Sequence, residues 1–304
     1  MIRVILYTDH FFVPESGKAG AMNLFSHKEI YKNTYVVTES YSADKRFTIG
    51  VIAGAERVLV IDTGAGMAGD LRRYIEGFVG TEKSIFCVCT HGHSDTLGAA
   101  AQFDEAYLKN EDVGAFPEAT VPEKRLQELR MFTKGNPELI EYGKANMIDN
   151  SQVEWRDLKD GDHFHLGGVH VGIIEIPGHT PVSIAVRVTR EGVTTTTFAG
   201  DAVSSGLNHF LRTDRRGLIE YAERLDAFMD HINADEPIYC THSQVPMSPD
   251  AGRALAKACR EVAHGFTKGD PAFSFGPFDP DRKGPDFRMH FADNYFIAYN
   301  ADLL

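Results

Sequence analysis

At 304 residues the chain has room for one large domain or two small ones, and 43% hydrophobic against 24% charged residues suits a globular protein with a filled core. Its 31 basic and 43 acidic residues leave a net charge of −12, a field that repels phosphate backbones and anionic lipid surfaces. Neither nucleic acid nor a membrane is an expected partner; a small molecule is.

Asp9 and His10 interrupt the apolar start of the chain before it reaches the length of a secretory leader. No apolar run is long enough to span a bilayer, so a cytoplasmic location is expected. Sheet signals then follow in order at Tyr35–Val37, Thr48–Ala53 and Arg57–Ile61, the last ending on Asp62-Thr63-Gly64. Leu71, Tyr74, Ile75 and Phe78 recur at helical spacing, with Gly80 as a stop. Ser84–Thr90 is a short apolar run suited to a buried strand. It carries Cys87 and Cys89, which with Cys240 and Cys259 are expected to be buried, reduced thiols.

From Pro117 to Asn150 charged helix formers dominate, predicting a helical insertion that is either a lid or a solvated decoration. Strand patterns return at Val169–Ile176, Ser183–Val188 and Val193–Phe198. Leu218, Ala222, Leu225, Met229 and Ile232 then share one helical face, and Ser248-Pro249-Asp250 reads as a capped helix start ahead of a stop at Gly265. Phe273–Phe278, with the later Arg288, His290 and Tyr295, predicts an edge hairpin or a pocket wall. Two runs of strands and helices without a linker point to one α/β domain over residues 1–304, with 117–150 inserted in it.

The chemistry concentrates after strands. In Thr90-His91-Gly92-His93-Ser94-Asp95 two imidazoles two residues apart can converge on one cation, and a carboxylate two further on can hold another. Three more strand ends carry possible ligands: Pro177-Gly178-His179-Thr180-Pro181, Gly200-Asp201, and Thr241-His242. Polar residues at the carboxyl ends of strands gather at one edge of an α/β sheet, where sites are normally built.

In this order, from about Tyr35 to Gly265, the motifs resemble those of the metallo-β-lactamase-fold hydrolases. The resemblance implies an αβ/βα four-layer sandwich with metals at one edge between the sheets. It implies that His91, His93 and His179 bind a first metal, that Asp201 bridges, and that Asp95 and His242 bind a second. Asp62 matches the aspartate of the family's DTG and would position the ligand loop, and Asp95 would orient the nucleophile or move a proton. Zinc, one or two ions, is the implied cofactor, with iron or manganese as alternatives. One position departs from the family's HxHxDH string: Thr96 stands where its last histidine is expected. The second site is then weak, absent or completed by another side chain, for which His10, His209 and His290 are candidates. His163, His165, His170, His231 and His264 are assigned to surface or packing roles.

The implied reaction is attack by metal-bound hydroxide on a small ester, lactone, thioester or amide. The alternatives are a mononuclear iron sulfur dioxygenase of the same fold, using His91, His179 and Asp201, and a non-catalytic metal-binding relative. A homo-oligomer stays open. Specificity is expected from the insertion, from Ser204–Phe210 and from the C-terminal tail.

Overall fold

The computed structural model describes residues 22–204, 206–274 and 285–304, so His10, Ser205 and Phe275–Phe278 lie outside the described residues. The first half builds a seven-stranded sheet whose members lie side by side in chain order: β1 (Phe25–Tyr31), β2 (Thr34–Ser42), β3 (Lys45–Ala53), β4 (Arg57–Ile61), β5 (Ser84–Val88), β6 (Ala106–Tyr107) and β7 (Trp155–Arg156). Pairing is antiparallel through β4 and parallel from β4 to β7. The second half contributes β8 (His163–His165), β9 (His170–Glu175), β10 (Ile184–Arg190), β11 (Val193–Gly200), β12 (Leu207–Phe210) and β13 (Ile238–Cys240). All but β12 form a second sheet in the order β13-β11-β10-β9-β8. The tail adds β14 (Phe287–Ala292) and β15 (Tyr295–Asn300), an antiparallel hairpin that pairs with β12. The tail is therefore a hairpin, as its later residues predict, in a small third sheet.

Strand alternation makes the layers. In β4, Val58 and Val60 face one hydrophobic cluster while Leu59 and Ile61 face another; in β5, Ile85 and Cys87 oppose Phe86 and Val88 in the same way. The Leu59 side meets Val171, Ile173, Ile184, Val186 and Phe198 of the second sheet, giving an apolar layer between the two sheets. Gly50 keeps that layer close, because a Cβ there would lie 2.8 Å from the Phe198 ring. The outer face of the first sheet is covered by α1 (Leu71–Val79) and the helices that follow it in the first half. Those are α2 (Ser94–Leu97), α3 (Asn110–Ala115), α4 (Pro122–Phe132) and α5 (Pro137–Asn146). The outer face of the second is covered by α6 (Arg215–Asp230) and α7 (Pro249–Ala263). The order helix, sheet, sheet, helix is the predicted αβ/βα sandwich.

Local signals act where the sequence puts them. Asp70 caps α1 through Arg73 N, and Gly80 ends that helix at φ 85°. Ser248 caps α7 with Pro249 in its first turn. All four cysteines are free and buried. The insertion is a docked wall. On α4, Leu129 and Phe132 enter the first core cluster, Arg125 is 1% exposed and donates to Ala65 O and Ile148 O, and Glu128 accepts from Ser94 Oγ. Among the described residues no helix is long and apolar enough to cross a membrane.

Candidate metal centre

Every strand-end candidate arrives at one edge of the sandwich. His91 and His93 lie on the turn leaving β5, Asp95 on α2, His179 after β9, Asp201 directly after β11, and His242 after β13. His93 Nδ1 is 3.1 Å from His91 Nε2 and 3.1 Å from His179 Nε2. These three ligand atoms all fall within 4.8 Å of one another, so the trio could hold a metal ion. Asp201 Oδ2 lies 3.9 Å from His91 Nε2, 3.7 Å from His179 Nε2 and 3.2 Å from His242 Nε2. His242 Nε2 is in turn 3.5 Å from Asp95 Oδ2. Asp201 thus stands between a nitrogen trio on one side and an Asp95–His242 pair on the other.

The outward ring nitrogens fix which way the lone pairs point. His179 Nδ1 sits 3.1 Å from both Asn208 Oδ1 and His209 O, two acceptors, so Nδ1 is the donor there and Nε2 is the nitrogen left facing the site. Thr90 Oγ1 donates to Asp62 Oδ2 at 3.0 Å and accepts from His91 Nδ1 at 3.2 Å, which leaves His91 Nε2 bare as well. Burial, then the charge of His179, holds the His91 pKa down at about 3. Burial, then His91 and His179, holds His93 well below its usual value. His93 Nδ1 thus stands 3.1 Å from each of the other two ligand nitrogens, a gathering that a cation among them would satisfy. The buried Asp201 Oδ1 also has no hydrogen-bond partner. This donor set fits a borderline dication.

Charge divides the acidic groups. Burial alone would raise the Asp201 carboxyl, but His242, His179 and His91 draw it well below the usual carboxylate range. Asp95 is raised by burial and by Asp201, against the pull of His242. Burial lowers His242, yet Asp201 and Asp95 outweigh it and bring its pKa to about 9. Its side chain is 46% exposed and marks the mouth of the site.

Thr96, the departure from the family string, is accounted for. Its buried hydroxyl lies 2.8 Å from both His91 O and His93 O, so it braces the turn beneath the imidazoles. Thr96→Val should leave metal content per chain unchanged and lower stability by about 1–2 kcal/mol, read by metal analysis and denaturant unfolding. Of the histidines considered for recruitment, His290 is occupied elsewhere, between Asp270 Oδ2 at 3.0 Å and Glu261 Oε2 at 3.1 Å. His209 stacks 6.1 Å from the His179 ring. His231 turns back to Ala227 O at the end of α6.

Asp62 leaves β4 at φ 58°, a left-handed conformation an aspartate tolerates, and accepts from Thr90 N at 2.7 Å as well as from the Thr90 hydroxyl. Across the seam, Gly200 precedes Asp201 at φ 55°, and a Cβ there would lie 2.1 Å from Thr90 Oγ1. Only glycine lets the two ligand-bearing segments approach this closely.

Sequence reasoning missed two residues. Asp112, on α3, is fully buried; it accepts from Gly92 N at 2.8 Å, Thr180 Oγ1 at 2.7 Å and Val182 N at 3.1 Å, joining the His91–His93 turn to the His179 loop. Asn208 joins His179 to Asp201, its Nδ2 donating to Asp201 O at 2.9 Å. Neither belongs to a ligand-like string: Asn208 lies in Ser204–Phe210, read only as a segment for specificity, and the one signal for Asp112 is an acidic residue on an otherwise ordinary helix.

Buried aromatic rings back the site. Phe116 packs edge-on to His93 at 4.6 Å, and Phe47 lies between His242 at 5.6 Å and Phe132 at 4.9 Å. The exposed Arg212 guanidinium covers Phe116 at 4.4 Å.

The Metallo-beta-lactamase superfamily description matches residues 48–231. Acyl-coenzyme A thioesterase MBLAC2 of Bos taurus is 24% identical over 199 residues, which cover 61% of this chain and 69% of that protein. The protein of the same name from Homo sapiens is 23% identical over 211 residues, with the same coverage of 61% and 69%. Among solved structures, a metallo-beta-lactamase from Pontibacter korlensis superposes with a TM-score of 0.52 at 14% identity, covering 79% of this chain and 99% of its own. A beta-lactamase domain protein from Burkholderia ambifaria gives 0.53 at 14% identity, covering 76% and 75%. At such identities the structures share the fold with this chain and nothing more.

Proposed function

The chain is an enzyme of the metallo-beta-lactamase superfamily, and on that premise we propose that it is a metal-dependent hydrolase of a small acyl compound, a thioester first among ester, lactone, thioester and amide. The carrying observation is the set of three imidazole nitrogens gathered within 4.8 Å of one another beside an ionised, half-unsatisfied Asp201. In this reading His91, His93 and His179 would hold one dication beside Asp201, and Asp95 with His242 would offer a second position. A dication there supplies Lewis acidity and brings the pKa of a bound water toward about 7. Zinc suits the nitrogen-rich set.

The chain's own groups do the rest. Asp95 Oδ2 is the group placed to accept the proton of the attacking water, and His242 Nε2, 3.5 Å away at the mouth, holds that carboxylate in position by its charge. Asp62 holds the His91 ring through Thr90. Phe47, Phe116 and Phe132, buried behind the site, pack against His242 and His93 and hold those rings in place. A thiolate departs without an acid to protonate it, which suits a site whose remaining acid–base groups are committed to the water. The similarity to proteins named acyl-coenzyme A thioesterases supports this choice, and Arg212 at the rim suits an anionic carrier.

The test is a panel of acyl-CoA thioesters, oxyesters, lactones and phosphodiesters, each assayed with and without chelator. Thioester turnover that stops on chelation and returns with zinc is expected; turnover indifferent to chelation would overturn the reading. Thr96, by leaving the second position one imidazole short, favours one filled position and keeps the mononuclear iron oxidase as the second reading. One iron per chain, with dioxygen consumed on a sulfur substrate, would establish it instead.

A further inference from the structure

We propose a second metal site, on the surface hairpin of β8 and β9, where His163, His165 and His170 bind one borderline dication such as Zn2+ or Cu2+. The proposal is independent of whether the buried centre is hydrolytic.

The local sequence is His163-Phe164-His165-Leu166-Gly167-Gly168-Val169-His170. Gly167 at φ 81° and Gly168 at φ 76° make the two-residue turn that needs positive φ at both centres. Leu166 N donates to Val169 O at 2.9 Å and closes it. That turn sets the register, so His165 pairs directly with His170. The pair next to a closing hydrogen-bonded pair is the non-hydrogen-bonded kind, in which side chains stand nearer one another. His163, two residues before His165, points to the same face.

Rings confirm the placement. His163 and His165 centroids are 5.0 Å apart at 84°, and His165 and His170 are 4.4 Å apart at 87°. Ring pairs in the trio of the metal centre lie at comparable spacing, 4.7, 4.8 and 4.8 Å at 82°, 88° and 80°. Phe164 and Val171, on the opposite face, pack into the layer between the sheets, so the three imidazoles look outward. All three are exposed, and β8 is the edge strand of its sheet. His163 faces Gly172, where a Cβ would meet nothing within 4 Å, leaving room above the group.

The nitrogens of this trio are not yet gathered as those of the buried trio are. Exposed imidazoles turn freely about two torsions, so an ion selects the converging rotamers, with water completing the coordination. The cost in side-chain entropy sets the affinity below that of the buried centre. The two sites are separate: β9 runs from His170 to Glu175, and His179 lies beyond its other end, about 17 Å away at strand rise.

The experiment compares full-length wild type with His165→Ala and with the double variant His163→Gln/His170→Gln. Each is dialysed against Cu2+, and bound metal is counted and examined by electron paramagnetic resonance. Wild type should bind one equivalent more than either variant, and the extra copper should show coupling to at least two imidazole nitrogens. Thioester hydrolysis should be equal in all three. Equal metal counts in the three proteins, or extra copper without imidazole coupling, would overturn the proposal. If His165→Ala loses its native circular dichroism, the double variant, which keeps polar side chains on the hairpin, decides.

Discussion

His91→Ala is expected to cut kcat/KM on the turned-over thioester by about 10³-fold or more while the circular dichroism spectrum is kept. His91 is fully buried, and its Nε2 lies 3.1 Å from His93 Nδ1 and faces Asp201 at 3.9 Å. Without it the first position keeps His93 and His179 only, and loses the ring that Thr90 and Asp62 aim. The loss of metal-derived transition-state stabilisation is several kcal/mol, hence about three decades in rate. Metal per chain should fall in parallel. Full activity with metal absent would remove the basis of the hydrolase proposal.

Asp112→Ala should lower folding stability by roughly 3–5 kcal/mol and reduce activity without touching any proposed ligand. One carboxylate accepts from two backbone amides and a hydroxyl, and it joins loops far apart in the chain. Alanine leaves those donors buried and unpaired, and frees the His91–His93 turn to shift against the His179 loop. Asp112→Asn keeps the shape but presents an amide to at least one donor, so an intermediate loss is expected. Equilibrium unfolding and metal affinity together distinguish this role from simple packing: a residue that only filled space would change stability and leave metal affinity as it was.

The layers of this fold were legible because strands and helices here obey their periods. Val58–Ile61 and Ile85–Val88 are unbroken apolar runs, which announce strands buried on both faces; the structure then sends Val58, Val60, Ile85 and Cys87 to one layer and Leu59, Ile61, Phe86 and Val88 to the other. The candidate site was legible where residues follow strands in recognisable strings, as with His91, His93 and His179. It was not legible where the chemistry is relational. Asp112 matters because of where α3 carries it, and Asn208 because β12 passes between His179 and Asp201; no string announces either. Thr96 looked like a deficit in the string, yet its hydroxyl serves two carbonyls, a role that depends on the turn around it. The surface histidines were read singly, and only the register of the Gly167–Gly168 turn makes them a group.

His91, His93 and Asp95 come from the first half of the chain, whereas His179, Asp201 and His242 come from the second, on the other side of the seam between the sheets. Neither half owns the centre. An ion seated there is also a rivet: it can be fully held only after the halves have docked, so occupancy and assembly rise together. At an ion concentration a thousand times its dissociation constant this linkage adds about 4 kcal/mol to the folded state. Chelation is then expected to loosen the sandwich as well as to stop the proposed hydrolysis.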